Sequence, residues 1–420
     1  MVMEKGKSLP KDPWYRKYYW DLEKVAWHCC RCSNCKFVDT WELKSARFSR
    51  VCPSSARYLY DAYSCQGRMD ITVALEIDKA LQYEDSSSLT DVFYKCNTCG
   101  ACDAECKRNN DMEPLRVLYG MRNKLVEKGL IPPALVPVID GLRKDDNMMM
   151  QPKAEQGKWA KGLKVKNLTK EKAEVVYHAG CRLNHDKALW KIAKGAVTLL
   201  KDAGVDIGIM GQEEVCCGGR PHDLGFQGEF TKYATHNAEA FATAGVKTVV
   251  TSCSDCYRAF KVLYPETGIN LEVLHIVEFM DRLIKEGRIK LTREVPMRVT
   301  YHDPCHLGRL SKPYVPGDPV DGVYELPREI LRGIPGIELV EMERIKENAW
   351  CCGAGAGVLE AYPDFSIWTA SERIEEAKST GAEAIVTACP WCERSFINAI
   401  EAKGEKIKVY DIIELVKESM

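Results

Sequence analysis

The chain has 420 residues, 45% hydrophobic and 28% charged, enough for roughly two to four ordinary globular domains. Lys and Arg number 59 against 60 Asp and Glu, and this net charge of −1 gives no sign of nucleic-acid or anionic-membrane binding. No apolar run approaches the ~18 residues of a membrane span, and residues 1–20 lack the apolar core of a secretory signal.

A cytoplasmic setting is therefore expected, with any membrane association coming through a partner. Residues 1–28 form an aromatic, basic arm with Trp14, Tyr15, Tyr18, Tyr19, Trp20 and Trp27, suited to packing on its own domain or to docking a partner. Residues 29–143 read as a mostly helical domain. "GRMDITVALEIDKALQ" and "MEPLRVLYGMRNKLVEKG" carry apolar residues at helical spacing, and the second ends at a glycine. Residues 144–172 are polar, basic and aperiodic, and are expected to be a linker, with Met148–Met150 as contact filler.

Beyond the linker, short apolar runs alternate with helical ones: "AEVVYHAGC", "VDIGIM" and "KTVVTSC", then "MRVTYHDPC", "IELVEM" and "EAIVTAC". Such alternation predicts parallel sheets covered by helices. The two sets repeat. "YHAGC" ending at Cys181 matches "YHDPC" ending at Cys305, "CCGG" matches "CCGA", and "VVTSCSDC" matches "IVTACPWC". The expected fold is thus a helical domain followed by one α/β domain twice, over 173–290 and 291–420.

Twenty cysteines carry the chemical signal. Without a secretory signal, disulfides are the weaker reading and metal ligation the stronger. Cys29, Cys32 and Cys35 form C-x2-C-x2-C, with Cys52 before a proline. Cys96, Cys99, Cys102 and Cys106 form C-x2-C-x2-C-x3-C. These are ferredoxin-type runs for [4Fe–4S] cubanes, in which the fourth cysteine crosses to the other cluster. By that rule Cys29, Cys32, Cys35 and Cys106 hold one cubane, and Cys96, Cys99, Cys102 and Cys52 the other. The departure is the 16 residues between Cys35 and Cys52, where three are usual. A zinc-stapled structural protein is the competing reading, although zinc sites favour paired C-x2-C over triplets. Cys30 and Cys65 are left over and are expected to be buried small hydrophobes.

The remaining ten cysteines form two groups of five. Between Cys181 and Cys216–Cys217 lie 34 residues, and 35 more before Cys253-x2-Cys256. Between Cys305 and Cys351–Cys352 lie 45, and 36 more before Cys389-x2-Cys392. Five thiols are too many for one zinc. They fall at predicted strand ends, where open α/β sheets bind ligands. The glycines beside the paired cysteines leave room for iron and sulfide and let backbone N–H groups point at sulfur.

This pattern resembles the cysteine-rich CCG domain of heterodisulfide reductases. Two ferredoxin motifs followed by two CCG domains look like the fused type, in which ferredoxin and CCG subunits are one chain. The resemblance implies two Rossmann-like CCG domains related by pseudo-twofold symmetry. Each binds a noncubane [4Fe–4S] cluster through its five cysteines, and a disulfide is cleaved or formed between them with electrons arriving through two cubanes. It also implies partners: a flavin-containing subunit or another electron-input subunit, and a haem-b membrane subunit in the membrane-linked forms. The alternative is an electron relay without its own disulfide, between a flavoprotein and a quinone or a larger complex such as the benzoyl-CoA-reducing assemblies of anaerobes.

Among non-cysteine candidates, His178 and His302 occupy equivalent places in the repeat, three residues before Cys181 and Cys305. Each would order the ligand loop or donate a proton to a departing thiolate. His306, His222 and Arg220 also flank ligand loops and are candidates to protonate product or bind an acidic group. Trp350 and Trp391 are expected to shield the clusters. "GAGAG" at 353–357 follows two cysteines and lacks dinucleotide spacing, so any flavin is expected on a partner.

Overall fold

The computed structural model describes residues 22–83 and 88–420. Most of the expected aromatic arm, including Trp14, Tyr15, Tyr18, Tyr19 and Trp20, lies outside the described residues. Its last turn is the helix Leu22–His28, which leaves Trp27 62% exposed.

Among the described residues, 29–145 are helical apart from one isolated bridge between Phe37 and Arg50. Proline at the first helical position starts Pro53–Tyr58 and Pro114–Glu127. The latter buries Leu115, Val117, Leu118, Met121 and Leu125 against the helices around it. The helix Cys65–Thr72 is capped by the Ser64 side chain, which accepts from Gly67 N.

Nine strands follow among the described residues, in two parallel sheets. The first holds β1 (Lys166–Asn167), β2 (Val175–His178), β3 (Ile207–Ile209), β4 (Thr248–Thr251) and β5 (Glu272–His275), in the order β1-β3-β2-β4-β5. The second holds β6 (Met297–Tyr301), β7 (Ile337–Leu339), β8 (Ala384–Thr387) and β9 (Lys408–Asp411), in the order β7-β6-β8-β9. Without β1 the two orders are the same. The repetition extends to helix caps. His275 and Glu278 form a capping box on Ile276–Lys285, as Asp411 and Glu414 do on Ile412–Ser419. These pairs are separated by the same offset as Cys253 and Cys389.

The two units share one apolar core, running from Trp159 to Val416. Helix Trp190–Asp202 crosses Ile412–Ser419 at Gly195, where a Cβ would come within 2.9 Å of Ile413.

The segment 144–172 departs from the expected linker. Met148 and Trp159 are buried, and β1 extends the first sheet with Lys166 opposite Gly208. Leu168 lies across Gly208, where a Cβ would meet it at 2.4 Å. Isolated apolar residues anchor this segment, which is why it shows no period. Met150, by contrast, is exposed.

The extra residues between Cys305 and Cys351 form a loop that fastens the second unit to the helical half. Arg309 Nε donates to Cys99 O at 2.9 Å, Tyr314 Oη to Asp111 at 2.8 Å, and Lys107 Nζ to Val315 O.

Candidate metal centres

All twenty cysteines are free thiols. Cys29, Cys32, Cys35 and Cys106 converge on one small void, together with Cys30 and Cys65. Cys52, Cys96, Cys99 and Cys102 converge on a second, again with Cys65. The fourth cysteine of each motif thus sits with the other triplet, and the 16-residue gap is absorbed by short turns between Cys35 and Cys52. Cys30 differs from expectation: it is exposed, with Asn109 Nδ2 at 3.7 Å. It lies at the rim of the first void, open to solvent.

Both triplets bend in the same way. The residues on either side of the central cysteine are left-handed: Arg31 (φ 59°) and Ser33 (φ 70°) in one, Thr98 (φ 46°) and Gly100 (φ 71°) in the other. Three of the four are not glycine, and each left-handed non-glycine costs about 1–2 kcal/mol. Such strain persists where converging thiols need it.

The ten duplicated cysteines lie after β2, β3 and β4, and after β6, β7 and β8, at the carboxyl ends of parallel strands. Within the first unit Cys216 touches Cys181 and Cys217, Cys217 touches Cys256, and Cys256 touches Cys253. The second unit repeats this wiring through Cys305, Cys351, Cys352, Cys392 and Cys389. Gly218 N donates to Cys216 Sγ at 3.4 Å, and Gly353 N to Cys351 Sγ at 3.3 Å. Gly180 (φ 76°) brings its backbone so close that a Cβ would stand 2.8 Å from Cys256 Sγ.

Contacts also run between groups. Cys65 touches Cys35 and Cys102, Cys99 touches Cys351, and Cys389 touches Cys253. The four groups therefore stand in series, with the second unit's cysteines next to those of the helical half. Eight of the ten duplicated thiols are buried, whereas Cys30 and Cys32 are exposed.

The two equivalent histidines differ. Each lies edge-on to a phenylalanine, His178 to Phe260 and His302 to Phe396. His302 stands with Cys352 and Cys392 so that their ligand atoms fall within 4.8 Å of one another, and Arg373 Nε approaches its Nδ1 at 3.2 Å. Burial holds the His302 imidazole below its ordinary pKa. His178 is 4.0 Å from Glu214, and Glu214 fastens the Cys181 loop by accepting from Ala179 N and Gly180 N at 3.1 and 2.8 Å.

His306 sits between the units, with Nδ1 2.8 Å from Asp255 of the first and Nε2 3.7 Å from Asp223. Burial opposes its charge, but Cys305 and Asp255 outweigh burial and raise it to about 9. His222 pairs with Asp223 at 3.1 Å, and Arg258 holds Asp223 at 2.8 Å. Burial lowers His222 despite that partner. A cavity of about 570 Å³ borders this network, with Gly100, Tyr119, His222, Arg258 and Arg309 on its walls.

Arg220 bonds Ala354 O and Glu360. With Arg182 it lies over Trp391, at 3.7 and 4.0 Å from the ring centre. Trp350 and Trp391 are both buried, and Arg344 lies over Trp350. Sequence reasoning missed Asp255, Asp223, Glu214, Arg309 and Arg373. Of these, Asp255 lies inside Cys253-x2-Cys256, Glu214 two residues before Cys216 and Asp223 directly after His222.

No helix among the described residues is long and apolar enough to cross a membrane. The cysteine-rich CCG domain family matches residues 175–261 and 299–397. The chain is 34% identical to the D-type subunit of the dihydromethanophenazine:CoB–CoM heterodisulfide reductase of Methanosarcina mazei, over 79% of this chain and 78% of that one. It is 29% identical to the EtfAB:quinone oxidoreductase of Syntrophomonas wolfei, over 82% of this chain and 48% of that one. In fold it resembles a hypothetical protein from Helicobacter pylori, with a TM-score of 0.55 at 12% identity, covering 84% of this chain and 68% of the other. The chain therefore belongs to the family of D-type heterodisulfide reductase subunits and is an iron–sulfur oxidoreductase subunit.

Proposed function

We propose that the chain carries electrons in series through four iron–sulfur positions and works on a disulfide at the seam between its two CCG domains. In this reading 29–143 is a two-cubane ferredoxin-like domain, and the CCG domains over 173–290 and 291–420 are related by a pseudo-twofold axis. Cys29, Cys32, Cys35 and Cys106 would hold one cubane, and Cys52, Cys96, Cys99 and Cys102 the other. Cys181, Cys216, Cys217, Cys253 and Cys256 would hold one noncubane [4Fe–4S] cluster, and Cys305, Cys351, Cys352, Cys389 and Cys392 its counterpart. Bound clusters supply one-electron carriers at all four positions and Lewis-acidic iron at the seam.

The donor sets fit those groups. Gly180 clears space at Cys256, and Gly218 and Gly353 aim amides at sulfur. The observation that carries the reading is the adjacency of Cys99 to Cys351, which share one buried cluster, and of Cys253 to Cys389, where Ser254 donates to Ala388 O.

Reducing a disulfide consumes two electrons and two protons. His306, held by Asp255, spans the two units at the seam and is the first candidate to hold a proton there. His302, beside Cys352 and Cys392, and His178, beside Glu214, lie within their own units instead.

A relay without its own disulfide is the second reading, favoured by the match to a quinone oxidoreductase of which the chain covers 48%. Input from a flavin-containing subunit, and a haem-b or other membrane partner at the cytoplasmic face, suit both readings.

Iron and acid-labile sulfide analysis tests the cluster count, with about sixteen irons expected per chain. Zinc in their place would sink both readings. Titrating the reduced protein with disulfides separates them: paramagnetic states that appear only with a disulfide support the reductase, and silence toward every disulfide supports the relay.

A further inference from the structure

Cys65 lines both sulfur-rich voids of the helical half, yet each void already has four other cysteines from the two motifs. It lies beside Cys35 in one cradle and beside Cys102 in the other, and it is buried.

Its place is fixed from both sides. Gln66 accepts from Ser33, inside the first triplet, at 2.8 Å and donates to Asp61 at 2.9 Å. Arg68 donates to Ser54, two residues past Cys52, at 2.8 Å, and to Lys95 O, just before Cys96, at 3.0 Å. Gly67 admits no side chain, since a Cβ would stand 2.0 Å from Asp61 O. Residues 66–68 thus lash the start of helix Cys65–Thr72 to both cradles. A simple space-filler would need no such registration.

A thiol carries one proton and can donate it to one acceptor at a time. We propose that Cys65 is a positioning residue that donates its single S–H to Cys35 or to Cys102 in alternation, and so couples the reduction of the two cubane positions. A hydrogen bond to a ligand sulfur favours the more negative, reduced form on that side. The side that lacks the proton is correspondingly harder to reduce, so the pair favours holding one electron. This inference rests on the cubane assignment of the preceding subsection.

The test is an EPR-monitored redox titration of the full chain, with iron analysis alongside. Cys65→Ala should keep the full iron content, make the first cubane reduction less favourable by about fivefold, the worth of one modest hydrogen bond, and leave the second within twofold, so that the gap between the two narrows. Cys65→Ser, which retains a donor, should recover at least half of that shift. A loss of about four irons in Cys65→Ala would overturn the proposal by making Cys65 a ligand. A first reduction within twofold of wild type in Cys65→Ala would overturn it by making Cys65 filler. Wild-type protein without iron would instead overturn the cluster assignment itself.

Discussion

Cys253 of the first α/β unit and Cys389 of the second are neighbours across the boundary, where Ser254 Oγ donates to Ala388 O at 3.0 Å, and each begins the C-x2-C that ends its own five-cysteine group. On the other side of the second unit, Cys351 touches Cys99 of the helical half. In this run the second unit's cysteine group stands between those of the helical half and the first unit, although the first unit also packs on the helical half directly, as where Arg258 meets Tyr119. Cys392→Ser should slow reduction of the first unit's centre by a ferredoxin-sized donor, because the second unit's centre precedes it. Cys256→Ser should leave reduction of the second unit's centre unchanged. Stopped-flow reduction with freeze-quench EPR reads both, and the reverse asymmetry would contradict the serial order.

Cys217 and Cys352 each make two sulfur contacts within their groups. Serine at either position should remove one duplicated centre, about four of about sixteen irons, and spare both cubanes. Unchanged iron in both variants would refute the five-thiol assignment.

Gly180 is left-handed at φ 76° and faces Cys256 Sγ. Gly180→Ala should cost about 1–2 kcal/mol of backbone strain and displace that sulfur. The expected result is selective loss of the first unit's centre, with the cubane EPR signals intact.

Arg328 grips Asp303 through two bonds of 2.6 and 2.9 Å, with both side chains buried. Arg328→Leu strands a buried carboxylate and should lower unfolding free energy by about 3–5 kcal/mol. Chemical denaturation measures this directly, and a loss under about 1 kcal/mol would mean that the pair is relieved by solvent.

Glu376 is gripped by Arg344 and Arg373. Burial alone would raise its carboxyl, but the two guanidinium groups outweigh burial and hold it below the ordinary carboxylate range. A depressed carboxyl contributes stability above its unfolded pKa of about 4.3 and loses it as pH falls through the folded value. Unfolding free energy should therefore drop through that acid window. Glu376→Gln should flatten the acid slope and lower stability at neutral pH.

The sequence determined much of this protein by local means. Cysteine spacing placed the four thiol groups, and the six apolar runs it marked are β2, β3, β4, β6, β7 and β8. It missed β1, which has only two residues, and β5 and β9, which run straight into the capped helices that begin after His275 and Asp411. Only the tertiary structure decided which groups adjoin, that Arg309 and its loop pin the second unit to the helical half, and that His302 reaches sulfur while His178 faces Glu214. Spacing along a chain fixes which thiols converge within one turn or one sheet edge. The order of the groups depends instead on how whole elements dock, and that is set by buried contacts between residues far apart in sequence.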